Sequence, residues 1–130
     1  MTAIKGLAEI VLSVRDREAA LGFYRDLLGL TPISPPDRPG PIFLQAGPEQ
    51  AGIPQLIVLV PLPAASPAFT PPRTLHHLAF TVAPADFDRL QERVQSHGHA
   101  TRGGQHPVLP SRTLYVNDPY GNEFEFICTA

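Results

Sequence analysis

The chain contains two degenerate copies of one pattern, and this internal repeat limits the possible folds more than any other feature. A strand, a short break and an amphipathic helix ending near glycine are predicted for residues 6–30, and the same succession is predicted for residues 74–99. A constant offset pairs Leu7 with Leu75 and Glu9 with His77. The copies therefore span about residues 6–62 and 73–128, and a linker rich in proline joins them.

Each copy continues with strand-like apolar runs. Pro41–Ala46 and Gln55–Val60 follow in the first copy, and Thr113–Val116 and Glu123–Cys128 follow in the second, with a weaker strand near His99–Arg102. The order β-α-β-β-β, given twice in 130 residues, predicts a single α+β domain of two modules. We expect a curled, cup-shaped sheet with the helices on its outer face.

Composition excludes several classes of partner. The formal net charge is -2 and the basic residues are scattered, so neither a nucleic acid nor a membrane surface is an expected partner. Cys128 is the single cysteine, which gives no indication of an oxidising compartment. The sequence shows neither a signal peptide nor a long apolar run, so we expect a cytoplasmic protein that acts on a small molecule.

Strand alternation brings three residues of metal-binding types to one face. Because successive side chains of a strand point to opposite faces, Glu9, His77 and Glu125 should all point away from the helices. His76 should point the other way, so we assign it a structural or capping role. Each of these residues taken alone is more typical of a structural or solvated position, and only their repeat-related placement favours a joint site inside the cup.

Three motifs resemble those of a known family. They are the helix text at Phe23–Leu30, the strand text at His77–Val82 and the turn and strand at Asp118–Glu125. In this order and spacing they are similar to the FYxDxLGL, HxAFxV and DPxGNxxE motifs of the vicinal oxygen chelate superfamily. That superfamily contains glyoxalase I, fosfomycin-resistance proteins and extradiol dioxygenases. The resemblance covers residues 6–127.

The resemblance implies a metal centre. Its ligands fall on Glu9, His77 and Glu125, with a glutamate at the first position where relatives often have histidine or glutamine. Two carboxylates and one imidazole suit one divalent ion of Mn, Fe, Zn, Ni or Mg. Family chemistry uses the ion as a Lewis acid that holds two neighbouring substrate oxygens, and it makes Glu9 and Glu125 the catalytic candidates. The resemblance also implies a homodimer, with the cup built within one chain or across two.

Further residues are candidates for the substrate pocket. At the repeat offset, Glu125 corresponds to Ile57, which has no donor atom, and Gln55 shares the face of Ile57. We therefore predict three protein ligands and open positions on the ion, as a catalytic metal requires. The remaining pocket candidates, His106, Arg112 and Tyr115, lie in or after a polar loop at residues 103–112, where specificity residues are common.

Two classes of function remain open at this point. The first is a metal-dependent lyase, isomerase, transferase or dioxygenase, or a resistance-type protein, acting on an oxygen-rich small molecule. The second is a metal-free binding protein that sequesters a drug, as bleomycin-resistance proteins do. The three potential ligands favour the metal-dependent class. A third possibility, a structural or regulatory dimer with no ligand, is disfavoured because charged groups inside a cup without a partner would be costly.

Overall fold

The computed structural model describes residues 3–67 and 75–130, and the chain divides into two compact units, Met1–Pro67 and Ala68–Ala130. The predicted linker at residues 61–73 therefore lies partly outside the described residues. The first unit contains β1 (Glu9–Val14), α1 (Arg17–Leu21), a π-helical segment (Gly22–Leu27), β2 (Thr31–Pro32), β3 (Ile42–Gln50) and β4 (Ile53–Pro61). The second unit contains β5 (Leu78–Thr81), α2 (Pro84–Ser96), β6 (Arg102–Gly104), β7 (Ser111–Asn117) and β8 (Glu123–Thr129).

Local signals explain where the helices begin and end. The Asp16 carboxylate accepts hydrogen bonds from the amides of Glu18 and Ala19, which caps α1. The π-helical segment continues α1 directly, and Gly29 follows it with a positive φ of 80°, a conformation that glycine adopts without strain. Helix α2 begins with Pro84 at a position where its missing amide costs nothing.

The first unit has a four-stranded mixed sheet in the order β1-β4-β3-β2. β1 pairs with β4 in parallel, and the other neighbours pair antiparallel. One face of this sheet is almost fully buried, as are the apolar side chains of the helix. The buried strand residues on that face are Leu12, Val14, Ile42, Leu44, Ile57 and Leu59, and the buried helical residues are Ala20, Leu21, Phe23, Tyr24 and Leu27.

The predicted equivalence of Ile57 and Glu125 is wrong by one residue. Ile10 pairs with Ile57 across β1 and β4, whereas Ala79 pairs with Glu125 across β5 and β8. Laterally paired residues share a face, and a shift of one residue moves a side chain to the opposite face. Ile57 therefore lies with Ile10 on the helix-facing side, and Val58 lies on the face of Glu9.

The second unit repeats this architecture with the order β5-β8-β7-β6, again with one parallel and two antiparallel pairs. Strand β8 is central, and its residues Phe124 and Phe126 are buried on the helix-facing side. Phe80 of β5 stacks on both, with ring centroids 5.7 and 6.0 Å apart. Aromatic contacts of this kind add to the burial of apolar surface and fix the pairing of β5 with β8.

The structure confirms the predicted α+β class and the two β-α-β-β-β modules. Several strands extend beyond the predicted runs, and β3, for example, continues beyond Ala46 to Gln50. β6, in contrast, begins only at Arg102, the last residue of its predicted run. None of the helices within the described ranges has the length and apolar character that a membrane span requires.

The corrected register of β4 can be tested with one pair of substitutions. Ile57 is 3% exposed on the helix-facing side, whereas Val11 is 53% exposed on the opposite face of β1. Ile57→Glu should lower the free energy of unfolding by more than about 3 kcal/mol, because it buries an unpaired charge. Val11→Glu should change it by no more than about 0.5 kcal/mol. Equal stability of the two variants in urea titrations would contradict this register.

Candidate functional site

Glu125 is the most deeply buried ionisable residue of the candidate site. It lies in the middle of β8, between Ala79 of β5 and Tyr115 of β7. Its side chain points to the face opposite Phe124 and Phe126, and the residue is 4% exposed. The carboxylate atom Oε2 is buried and has no hydrogen-bond partner among the residues that the structure describes. A carboxylate in this condition is unstable unless another group, such as a cation, satisfies it.

A tight turn sets the position of Glu125. Asp118 is buried, and its Oδ1 accepts hydrogen bonds from the amides of Tyr120 and Asn122, both at 2.8 Å. Its Oδ2 accepts a third from the side-chain amide of Asn122 at 2.9 Å. Gly121 has a positive φ of 78°. This network fixes the first residue of β8 and so determines which of its side chains face the site.

His77 supplies the second donor group. Its Nε2 atom is 3.3 Å from Oε1 of Glu125, and its side chain is 32% exposed, so one edge of the ring faces the buried carboxylate. The Tyr115 ring lies edge-on to the imidazole, with centroids 5.8 Å apart. The second unit thus brings together two of the three predicted ligands and one of the predicted pocket residues.

Strand alternation predicted that His76 points to the face opposite His77, but the two side chains lie next to each other. The Nδ1 atom of His76 is 2.7 Å from Nδ1 of His77. The prediction fails because β5 begins only at Leu78, so neither histidine lies within the strand and alternation does not apply to them. His76 is exposed and belongs to the site cluster.

Two further residues of this face were missed by the sequence analysis. Glu123 precedes Glu125 by two residues on β8 and therefore shares its face, and one oxygen of Glu123 is 3.3 Å from a guanidinium nitrogen of Arg102. Arg102 pairs laterally with Tyr115, so it projects to the same side. Ligand atoms of His76, His77 and Glu123 all lie within 4.8 Å of one another. The period-two rule applied to Glu125 would have found Glu123.

Tyr115 is a neutral hydrogen-bonding group of this face. Burial of its hydroxyl raises the pKa of Tyr115 above the ordinary value, and the negative charge of Glu125 raises it further. Both causes disfavour the phenolate. Tyr115 is therefore a proton donor at neutral pH, next to a carboxylate that can only accept while it is ionised.

The first unit carries the remaining predicted ligand, Glu9. It begins β1, is exposed, and lies on the face opposite the buried side chains of that sheet. Gln55 and Ile57 lie on the opposite face of the sheet from Glu9, because Glu9 pairs laterally with Leu56. The Gln55 side chain lies against Gly47, where its Oε1 would be 2.8 Å from an added Cβ. The structure gives Gln55 and Ile57 packing positions rather than positions beside Glu9.

The two polar residues predicted from the loop have local partners. The Nδ1 atom of His106 accepts hydrogen bonds from the amides of Val108 and Leu109, at 3.1 and 3.0 Å. Arg112 is in β7 and not in the loop, and it alternates with Tyr115. Its guanidinium contacts Asp88 at 2.8 Å and lies over the Phe87 ring at 4.3 Å, both on α2. Arg112 thus faces the helix, away from Glu125.

The donor set fits a divalent cation. An imidazole nitrogen and a carboxylate face each other at 3.3 Å, and the second carboxylate oxygen is buried without a hydrogen bond in the described ranges. Imidazole and carboxylate groups are common ligands of Zn, Mn, Fe and Ni. Each of the two units has the β-α-β-β-β order, and the second unit carries these donors on one face of its sheet.

Comparison with known proteins gives the family. Residues 6–126 match the model of the Glyoxalase/Bleomycin resistance protein/Dioxygenase superfamily, and the chain belongs to this superfamily. It is similar to a glyoxalase/dioxygenase from Nostoc punctiforme, with 25% identity, a TM-score of 0.74 and coverage of 96% of this chain and 91% of that one.

Two structures of the fosfomycin resistance protein FosX from Listeria monocytogenes have the same fold. One is a complex with Mn(II) and sulfate, with 22% identity, a TM-score of 0.70 and coverage of 98% and 92% of the two chains. The other is a glutamate-to-glutamine mutant in complex with Mn(II) and 1S,2S-dihydroxypropylphosphonic acid, with 20% identity, a TM-score of 0.72 and coverage of 98% and 94%.

The raised pKa of Tyr115 can be tested by following tyrosine ionisation at alkaline pH. The chain has three tyrosines and no tryptophan, so phenolate absorbance reports tyrosine ionisation cleanly. The absorbance change that native protein shows and Tyr115→Phe lacks reports the ionisation of Tyr115. With a chelator present, this change should have a pKa above the ordinary value of about 10. Glu125→Gln should lower that pKa part of the way, because it removes the charge but not the burial.

The raised pKa of Tyr115 also makes the free energy of unfolding depend on pH in the alkaline range. The pKa is higher in the folded state than in the unfolded state, so the contribution of Tyr115 to stability is complete below pH of about 10 and is lost as pH rises through the folded-state pKa. The free energy of unfolding should therefore fall more steeply with alkaline pH in the native sequence than in Tyr115→Phe. An identical pH dependence of the two proteins would contradict the shift.

Proposed function

We propose that this protein is a metal-dependent enzyme, or a resistance-type protein, that acts on a small oxygen-rich substrate at a divalent metal. The observation that carries the proposal is the buried Glu125 carboxylate, which faces His77 Nε2 at 3.3 Å and leaves one oxygen without a hydrogen bond in the described residues. A divalent cation between these groups would offset the cost of burying the charge. The Mn(II) complexes of FosX, which has the same fold, are consistent with this assignment.

We assign His77, Glu125 and Glu9 as the ligands. Glu9 is included because it occupies the position in the first copy of the repeat that His77 occupies in the second. Its carboxylate, with that of Glu125, would balance the charge of the ion formally, so the bound ion would lower the pKa of a coordinated water less than a three-histidine site does. When bound, the ion would supply Lewis acidity to neighbouring oxygens of the substrate. Manganese, iron, zinc, nickel and magnesium all suit this donor set.

Other residues of the same face have roles that their chemistry defines. The Tyr115 phenol, kept neutral by burial and by Glu125, can donate a hydrogen bond to a substrate oxygen. Arg102 is a cation with a half-exposed side chain, held by Glu123 at 3.3 Å. It can attract an anionic group of the substrate while Glu123 keeps it in place. Small carboxylates, phosphonates and their epoxides are therefore suitable first compounds for a substrate screen.

Metal content tests the proposal directly. His77→Ala and Glu125→Ala should each abolish stoichiometric metal in protein purified without added ions, measured by elemental analysis, because two remaining ligands cannot replace the hydration that the ion loses. His106→Ala is the matched control and should retain the metal, since the His106 ring is engaged by the loop backbone. Stoichiometric metal in both ligand variants would refute this ligand set, whereas native protein that binds no metal would favour a metal-free binding protein of the bleomycin-resistance type.

The role of Glu9 is tested separately. Glu9→Ala should weaken Mn(II) binding at least about tenfold in calorimetric titrations, because losing even an outer partner of a ligand typically costs about 10–100-fold. Ser13→Ala is the control, since Ser13 is exposed on the same face of β1. Equal affinities of the two variants would remove Glu9 from the ligand set and leave His77 and Glu125 in place.

We also propose a homodimer. β1 and β5 are edge strands of their sheets, and exposed edges favour pairing with another chain. Leu7 and Val11, next to or in β1, are 72% and 53% exposed, which adds apolar surface at that edge. Light scattering at micromolar concentration should give twice the chain mass of 14.1 kDa. A mass equal to one chain would contradict the dimer.

A further inference from the structure

His76 and His77 are adjacent in sequence, and their rings meet through like atoms. The Nδ1 atoms are 2.7 Å apart, and the rings are inclined at 69° with centroids 5.0 Å apart. Two neutral imidazoles can approach this closely only if one Nδ1 carries a proton and the other accepts it. The protonation pattern of His76 and that of His77 are therefore not independent.

The other ring nitrogen of His77, Nε2, faces Glu125. Because Nε2 of His77 faces Oε1 of Glu125 at 3.3 Å, the proton on His77 decides what this nitrogen can do. With the proton on Nε2, His77 presents an N–H toward the Glu125 carboxylate, and its Nδ1 accepts a hydrogen bond from His76. With the proton on Nδ1, His77 donates to His76, and Nε2 presents a lone pair toward the carboxylate.

Only the second arrangement can bind a cation through Nε2. A metal-ligating histidine commonly donates its other ring N–H to an acceptor, which fixes the tautomer and the ring orientation. Nδ1 of His76 is the acceptor placed for that hydrogen bond. His76 is itself exposed, so its Nε2 can exchange a proton with solvent.

We propose that His76 is a positioning residue for the metal centre: in the metal-bound state its Nδ1 accepts a hydrogen bond from Nδ1 of His77 and so holds His77 in the tautomer that leaves Nε2 free to bind the ion beside Glu125. This inference rests on the proposed function of the site. Binding then couples two proton shifts. His77 Nε2 releases its proton, His76 Nδ1 passes one to His77 Nδ1, and His76 Nε2 takes one from solvent. Both rings stay neutral, and no net proton is released.

A direct chelate by His76, His77 and Glu123 is the competing interpretation of the same cluster. Two nitrogens bound to one ion at about 2.0–2.1 Å with a tetrahedral angle lie roughly 3.3 Å apart. The observed 2.7 Å is shorter and is a hydrogen-bond distance. Glu123 is in addition paired with Arg102. The geometry favours a hydrogen-bonded pair over a second set of ligands.

Three variants at this position separate the hydrogen bond from the ring. His76→Phe keeps the ring and removes both nitrogens, and it should weaken Mn(II) binding about 10–100-fold. His76→Asn places an amide oxygen where Nδ1 lies, and it should restore most of the affinity that His76→Phe loses. His76→Ala should resemble His76→Phe. Thermal unfolding of each variant checks that the fold is retained.

Nitrogen NMR of histidine-labelled native protein gives a readout that does not depend on any variant. In the metal-free protein His77 should carry its proton on Nε2, and after saturation with Zn(II) it should carry it on Nδ1, with His76 protonated on Nε2. A zinc-loaded His77 that lacks a proton on Nδ1 would overturn the inference, and so would unchanged Mn(II) affinity in His76→Phe or a failure of His76→Asn to restore it.

The outcomes distinguish this inference from the proposed function. If native protein binds Mn(II) and loses it in His77→Ala while His76→Phe binds normally, the metal centre stands and the role of His76 is refuted. If His77→Ala binds Mn(II) as tightly as the native protein, the metal centre itself fails and the inference fails with it.

Discussion

The alternation of side chains along β8 is the constraint on which the second unit and its candidate site both depend. β8 pairs on both sides, with β5 and with β7, so its register is held by two ladders. Burying Phe124 and Phe126 stabilises the unit by about 1.5–3 kcal/mol per side chain. A buried carboxylate oxygen without a partner costs more than the about 1–3 kcal/mol of a neutral group. The apolar face therefore offsets much of the cost of holding Glu125 in a place that it would not occupy for its own stability.

Features that a short-range rule decides could be predicted from the sequence. The repeat and the period of two were enough to predict both modules, the existence of β8 and the faces of Glu9 and Glu125. The motif at Asp118–Glu125 was enough to predict a turn at Asp118, and Gly121 adopts a positive φ in that turn. These features depend on residues within one element or one turn, so they are visible in the sequence without knowledge of the partners.

Features that depend on the pairing of distant strands could not be predicted from the sequence. The face of Ile57 depends on its register against β1, and one residue of slip reverses it. Arg112 was assigned to a loop, but β7 already begins at Ser111, and this places Arg112 toward α2. His76 was assigned to a strand that begins two residues later. Element boundaries and register set these positions, and neither is encoded in a local pattern.

The two units show how one architecture can hold unequal chemistry. On the face of Glu9 in the first unit, β4 contributes Leu56, Val58 and Val60, all apolar. On the corresponding face of the second unit, β8 contributes Glu123 and Glu125. Glu9 is exposed and solvated, so its charge costs little without a cation, whereas Glu125 is buried and its charge is expensive. A bound cation would therefore offset a larger cost at Glu125 than at Glu9.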